Sequence, residues 1–419
     1  MNQSSSESGQ RFALLYELSQ TFNSSLDLNE VLDRVLDEVV NAVKAERGFV
    51  ALIDENREMV FHSARGIDQV TIDHPEFEVS RGVVEEVARL GEGILISDAQ
   101  KDGRFDKRSS VLDLNLHSIL CTPLKLKDNL IGVIYLDNRA LAGIFRQRDL
   151  ELVNAIAATA AIAIENARLY EMAIDKGRME RELQMAYQVQ ASLIPKEVPH
   201  FPGWDFAACW HPASRVSGDF YDFIPERGNC LNFVIADVTD KGLPAALFMA
   251  LSRSLVRASL ETSGLLKDAI SRANRLICDD STISMPVTLF AGQLCLDDGN
   301  LVYVNAGHYP PMVYHAKEQQ FTQLTRTGMF MGFEEQAEYE QKSISLQSGD
   351  FILCYTDGVL DAVNTQNIAY EMERFEQVIR KNLEASPCEF VEAIEKSIHD
   401  FTGNTHLNDD LTIMIIRRL

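Results

Sequence analysis

The chain has 419 residues, with 62 Asp and Glu against 39 Lys and Arg and a net charge of −23. Hydrophobic residues make up 46% and charged residues 24%, a globular composition at a length that suits two domains and a linker rather than one core. Binding a nucleic-acid backbone needs clustered Lys and Arg; none occurs, so nucleic acid is excluded as a partner, and an acidic protein that handles phosphate must take its positive charge from metal ions. The seven cysteines contain no CxxC pair and most lie in apolar runs, which predicts reduced core thiols in a cytoplasmic protein. The most apolar run, 155–164, is too short to span a membrane.

Residues 1–10 are Ser-rich, carry no basic-then-apolar leader, and are expected to be a disordered tail. From 12 to 43 apolar residues recur at helical spacing, with Asp27 placed to cap a second helix. Strands at 48–53 and 59–63 flank a polar turn, a short helix covers 83–90, and a second hairpin pairs 118–126 with 130–137. Helices followed by antiparallel hairpins give an α+β order. From 149 to about 194 the pattern is helical. Ile162, Leu169, Lys176, Leu183 and Gln190 share one heptad position, and Glu165, Met172, Met179, Ala186 and Leu193 the other. This is a polar-interrupted seam, read either as a parallel homodimer stalk or as a solvated connecting helix. Pro195 and Pro199 end it. Beyond it come strands at 204–210, 218–224 and 231–238, helices at 244–261 and 266–278, and strands at 287–296, 301–305, 311–315 and 351–355. Helices at 370–382 and 387–401 and a last strand at 411–417 complete the order, which predicts two sheets with helices outside.

The chemistry-bearing feature is aspartate at strand ends. Asp219 and Asp222 lie in Val-Ser-Gly-Asp-Phe-Tyr-Asp at 216–222, and Asp237 ends an apolar run. Asp357 follows Tyr355 and Thr356, and Asp409 and Asp410 precede the last strand. Singly, such residues are ordinary turn or cap residues. Together, on converging strand ends, they offer hard oxygen ligands suited to Mg²⁺ or Mn²⁺ rather than zinc. Two such ions about 3.5–4 Å apart clamp a phosphoryl group. No Cys-x5-Arg motif is present, which argues against a cysteine phosphatase.

Five segments occur in order: 216–222, Ala-Asp-Val-Thr-Asp-Lys-Gly at 236–242, Asn-Ala-Gly-His-Tyr-Pro-Pro at 305–311, Tyr-Thr-Asp-Gly at 355–358 and Asn-Asp-Asp-Leu-Thr at 408–412. They resemble the signature motifs of the type 2C (PPM) protein phosphatases, in the branch of stage II sporulation protein E and the RsbU-like regulators. The likeness runs from about 180 to the end. It implies a β-sandwich flanked by helices that hydrolyses phosphoserine or phosphothreonine with two Mn²⁺ or Mg²⁺ ions and no phosphoenzyme. It implies that Asp219, Asp237, Asp357 and Asp409 hold the metals, with Asp237 bridging and the Val238 carbonyl adding a ligand. Asp410 either shares a metal or stands behind one. His308 either protonates the leaving oxygen or fixes a loop as a neutral imidazole, and Lys241 either meets phosphate or is solvated. Two positions depart from the commonest pattern: Ser217 and Asp240 stand where Gly is frequent. The implied substrate is a phosphorylated STAS-type anti-sigma-factor antagonist.

The first half resembles a GAF domain over 11–168, on the segments 45–54, 96–100 with Arg104 and Phe105, and 118–137. The resemblance implies a small-molecule pocket, the alternative being a ligand-free dimerisation module, with Cys121 a core residue. The expected order is a tail at 1–10, a GAF sensor at 11–168, a linker helix at 169–195 and a phosphatase domain at 196–419. The competing function is a ligand-sensing interaction module whose phosphatase domain is inactive.

Overall fold

The computed structural model describes residues 13, 16–54, 56–66, 79–99, 116–226, 228–262, 264–280, 285–403 and 407–419. The expected tail and the Arg104–Phe105 segment lie outside the described residues. The chain divides into two compact units, Met1–Arg178 and Met179–Leu419.

In the first unit, helix α1 (Leu28–Val43) starts where the Glu30 N–H donates to the Asp27 carboxylate, the cap its sequence predicts. Strands β1 (Arg47–Ile53) and β2 (Met59–Gly66), helix α2 (Arg81–Leu90), strands β3 (Ile94–Ile96), β4 (Ser118–Leu126) and β5 (Asn129–Asn138), and helix α3 (Gln147–Leu193) follow. The strands form one antiparallel sheet in the order β2-β1-β5-β4-β3. Alternation along β1 and β5 feeds two cores. Val50, Leu52, Ile134 and Leu136 pack with α1 and the first turns of α3. Phe49, Ala51, Val133 and Tyr135 pack with α2. Gly48 lets α1 approach the sheet, since a Cβ there would lie 2.7 Å from the Val40 side chain. Arg47 and Asp137, opposite each other on β1 and β5, form a buried two-point ion pair at 2.9 and 2.6 Å.

In the second unit, β6 (Trp204–His211), β7 (Phe220–Glu226) and β8 (Cys230–Val238) lead to helices α4 (Leu243–Thr262) and α5 (Leu266–Asp280). Then come β9 (Val287–Cys295), β10 (Asn300–Ala306), β11 (Met312–His315), β12 (Gln320–Gln323), β13 (Lys342–Ser345) and β14 (Phe351–Tyr355). Helices α6 (Glu371–Lys381) and α7 (Pro387–Thr402) precede β15 (Leu411–Arg418). Two five-stranded antiparallel sheets result, β13-β10-β9-β8-β7 and β12-β11-β14-β15-β6. In the second sheet Phe206, Ile352, Cys354, Met414 and Ile416 join the core shared with the first sheet. The alternate residues Phe351, Leu353, Ile413 and Ile415 pack under α6 and α7. Helix α7 opens on a Ser386–Glu389 capping box with Pro387 in its first turn. The strands not foreseen are β3, β12 and β13, of 3 or 4 residues each, too short to show a period-2 pattern.

Three expectations need revision. Cys230 and Cys295 are joined in a disulfide, not free thiols: they stand opposite each other on β8 and β9, with Cα atoms 4.2 Å apart. Second, α3 and α4 each contain an 18-residue window long and apolar enough to cross a membrane; about half of each window is buried, as in core helices. Third, the heptad seam does not run the length of the linker. Ile162, Leu169, Met172 and Met179 are exposed apolar residues, whereas Gln190 is 3% exposed and Ile194 is buried within the second unit. The last turns of α3 therefore belong to that unit's own packing, with Tyr187 stacked on Trp210 at 5.7 Å.

Candidate active site

Four strand ends, two from each sheet, supply the carboxylates. Asp219 immediately precedes β7 and Asp237 lies at the end of β8; Asp357 follows β14 across Thr356, and Asp409 and Asp410 lead into β15. Two close approaches fix this edge. A Cβ on Gly358 would lie 2.0 Å from the Asp410 carbonyl oxygen, and one on Gly218 would lie 2.9 Å from that of Val238. The motif glycines are thus imposed by backbone packing.

Asp219 is buried, and one of its oxygens, Oδ2, accepts hydrogen bonds from the hydroxyls of Thr356 and Thr412, both at 2.7 Å. Burial raises its pKa well above the ordinary carboxylate value, and the charges of Asp237 and Asp410 raise it further. Burial, then Asp357 and Asp409, push Asp237 up to about 7. Burial, then Asp409 and Asp361, push Asp357 up to about 6. Mutually opposed, partly desolvated carboxylates of this kind are what a cation site demands, and the all-oxygen donor set fits Mg²⁺ or Mn²⁺. Lys241 supplies the local counter-charge, its Nζ 2.9 Å from an oxygen of Asp409. Lys241 is 59% exposed and lines a cleft of about 280 Å³ with Ser214, Gly242, Asn408 and Asp410.

The structure separates the remaining candidates by what they touch. Both oxygens of Asp410 accept backbone N–H groups, from Ala213 at 2.7 Å and Gly218 at 2.8 Å. Asp410 therefore ties the 213–218 loop to the start of β15, which suits its reading as the residue behind a ligand. Asp222 turns away to Arg253 and Arg257 of α4, at 2.8 and 2.9 Å. His308 is buried, shares a 2.9 Å hydrogen bond through Nδ1 with the Thr288 hydroxyl, and is pushed by burial down to about 3. Thr288 pairs with Asp237 across β9 and β8. Of its two readings, the neutral loop-fixing one agrees with this setting. Asn305 is likewise buried and donates to the Leu324 carbonyl. Asp240 holds φ at +87° and Gly242 at +81°, so the commoner Gly at 240 relieves a left-handed strain that Asp bears here.

Thr356, Thr412 and Gln190 escaped the sequence reading. The two threonines lie inside the 355–358 and 408–412 motifs, and their polarity, at the end of one buried strand and the start of another, is the available signal. By its heptad position Gln190 falls on the predicted seam. In fact its Oε1 accepts from the Ser217 N–H at 3.1 Å, while its Nε2 donates to the carbonyls of Ser217 at 2.8 Å and Ala246 at 3.0 Å. One buried side chain thus joins the last turns of α3 to the Asp219 loop and to α4.

Residues 227–419 match the family model for stage II sporulation protein E (SpoIIE), and residues 25–165 match that for the GAF domain. Asp237, Asp357 and Asp409 fall inside the first match, and Asp219 lies eight residues before it. Phosphoserine phosphatase RsbU of Bacillus subtilis (strain 168) is 30% identical over 243 residues, which span 57% of this chain and 71% of that protein. The chain belongs to the SpoIIE-type phosphatase family. It is a protein serine/threonine phosphatase with a GAF domain at its N-terminal side. Protein IcfG of Synechocystis sp. is also 30% identical, over 264 residues covering 57% of this chain and 41% of IcfG. Among solved structures, the SiaA-PP2C domain of Pseudomonas aeruginosa shares the fold with a TM-score of 0.53 at 18% identity, covering 58% of this chain and 98% of that domain. The SpoIIE-type assignment accounts for both the two-sheet architecture and the acidic edge.

Proposed function

We propose that this SpoIIE-type phosphatase releases phosphate from phosphoserine or phosphothreonine of a STAS-type regulatory protein, using two Mn²⁺ or Mg²⁺ ions. In this reading a GAF sensor at 11–168 controls a catalytic domain at 196–419 through the helix at 169–195, in a cytoplasmic homodimer. The observation that supports it most is the convergence of Asp219, Asp237, Asp357 and Asp409 on one edge, with the pKa values of the first three raised by burial and by one another. These four, with the Val238 carbonyl, would hold the ions. Bound there, divalent ions supply Lewis-acid charge for a phosphoryl group and acidify water at neutral pH.

The chain's own residues do the positioning. Thr356 and Thr412 favour the ionised form of Asp219 and fix its rotamer. Asp410 sets the loop that carries Asp219. Lys241 places a positive charge at the mouth of the cleft, where a phosphate arrives. Gln190 gives the linker a route to the site, since displacing the last turns of α3 moves Ser217, two residues from Asp219. An inactive interaction module would be expected to lack one of the carboxylates, and all four are in place.

The test is phosphate release by the full chain with Mn²⁺, from a phosphoserine-bearing STAS-domain protein and from an unrelated phosphoprotein. Faster release from the first supports the reading. Equal or slower release overturns the substrate assignment, and release from neither overturns the active-enzyme reading.

A further inference from the structure

A second cluster of donor atoms lies apart from the acidic edge. Cys209 and His211 are two residues apart on β6 and so project from one face of the strand. That face meets α7, which places Glu395 against both: His211 Nε2 is hydrogen-bonded to Glu395 Oε1, and the Cys209 thiol also interacts with the Glu395 carboxylate. One donor atom from each of the three residues lies within 4.8 Å of the others. Donors around a tetrahedral zinc ion, at bond lengths of 2.0–2.3 Å, stand about 3.3–3.8 Å apart. Small rotamer adjustments therefore close the set. His211 is 55% exposed and opens the cluster to solvent, while Cys209 is partly buried.

We propose that Cys209, His211 and Glu395 form a binding site for one borderline-soft divalent cation, Zn²⁺ by class, with its fourth position open to water. Sulfur, imidazole nitrogen and a single carboxylate select such an ion over Mg²⁺ or Mn²⁺, which prefer oxygen alone. On binding, the Cys209 thiol loses its proton to solvent, and the His211–Glu395 hydrogen bond opens so that Nε2 and Oε1 turn to the ion. The ion would fasten α7 to β6, an edge strand of its sheet. From His211 the chain runs through Pro212 to Ala213, whose N–H Asp410 holds, so the site borders the catalytic loop without sharing a ligand with it.

The test is a Co²⁺ titration of the full chain, read as near-ultraviolet thiolate-to-cobalt charge-transfer absorption. Oxygen ligands at the catalytic edge do not produce that band. One equivalent of band-forming Co²⁺, displaced by Zn²⁺, is expected. Cys209→Ser should abolish the band and His211→Ala should raise the Co²⁺ concentration that half-forms it at least about tenfold, while Asp237→Asn and Cys388→Ser leave the band and its half-forming concentration unchanged. Absence of the band in the wild type, or its persistence in Cys209→Ser, overturns the proposal. Circular dichroism that matches the wild type shows that each variant is folded.

Discussion

Replacing Gln190 with Leu probes how the linker meets the catalytic edge. The substitution keeps most of the side-chain volume and removes three hydrogen bonds. Ala246 lies within α4, so its carbonyl keeps a partner in the helical ladder. The N–H and carbonyl of Ser217 are the groups left exposed to the loss. A buried backbone group without a partner costs about 1–3 kcal/mol, so the variant should lose roughly 2–6 kcal/mol of stability. Part of that strain is relieved by movement of 216–218, and Asp219 follows. We expect the Mn²⁺ half-saturation for p-nitrophenyl phosphate hydrolysis to rise at least about tenfold, equivalent to about 1.4 kcal/mol. Gln190→Glu, which retains the acceptor for the Ser217 N–H, should lie between the two. Urea denaturation and a Mn²⁺ titration are the assays. An unchanged denaturation midpoint together with an unchanged Mn²⁺ half-saturation would refute the clamp.

Thr412→Val removes one of two hydroxyl donors to Asp219; hydrogen bonds to charged groups contribute about 1.5–3 kcal/mol. Asp219 becomes harder to ionise, so apparent Mn²⁺ affinity should fall about tenfold or more, and more at pH 6 than at pH 8; an unchanged affinity at pH 6 would contradict this. In metal-free protein the raised pKa values of Asp237, about 7, and Asp357, about 6, mean that the fold binds more protons than the unfolded chain above pH 4. Stability with EDTA should therefore be greatest at acid pH and be lost as pH rises through 6 to 7. Saturating Mn²⁺ should restore it at pH 8, and thermal unfolding at pH 5 and pH 8 checks both statements, with Asp237→Asn reducing the effect. Asp240→Gly relaxes the left-handed backbone at 240 and should stabilise the protein by up to about 1 kcal/mol with activity retained; a lower urea midpoint would show that the Asp240 side chain contributes more than its backbone costs.

The parts of the fold written in local pattern were legible. Asp27 before an apolar stripe marks a helix start, and short continuous apolar runs within 231–238 and over 351–355 mark buried strands. The carboxylates were legible because each stands beside one end of an apolar run, Asp237 and Asp357 after it and Asp219 and Asp409 before it. Contacts between elements distant in sequence were not. Cys230 and Cys295 become neighbours only once β8 and β9 take their register. Gln190 carries the heptad position of a stalk residue, yet its polar side chain is buried by a loop and a helix it precedes by tens of residues. Asp410 adjoins a ligand candidate in sequence, but its carboxylate faces backbone N–H groups nearly 200 residues away, separations of 197 and 192. Burial also favours the neutral reading of His308, and burial of a loop residue leaves little trace in composition.

The most direct measurement is hydrolysis of p-nitrophenyl phosphate by the full chain in Mn²⁺, in EDTA, and in Mn²⁺ with Asp237→Asn. Turnover that requires the metal and falls by at least about a hundredfold in the variant is the predicted result. Turnover that persists in EDTA, or in a folded Asp237→Asn protein at the wild-type rate, would contradict a site built on these carboxylates.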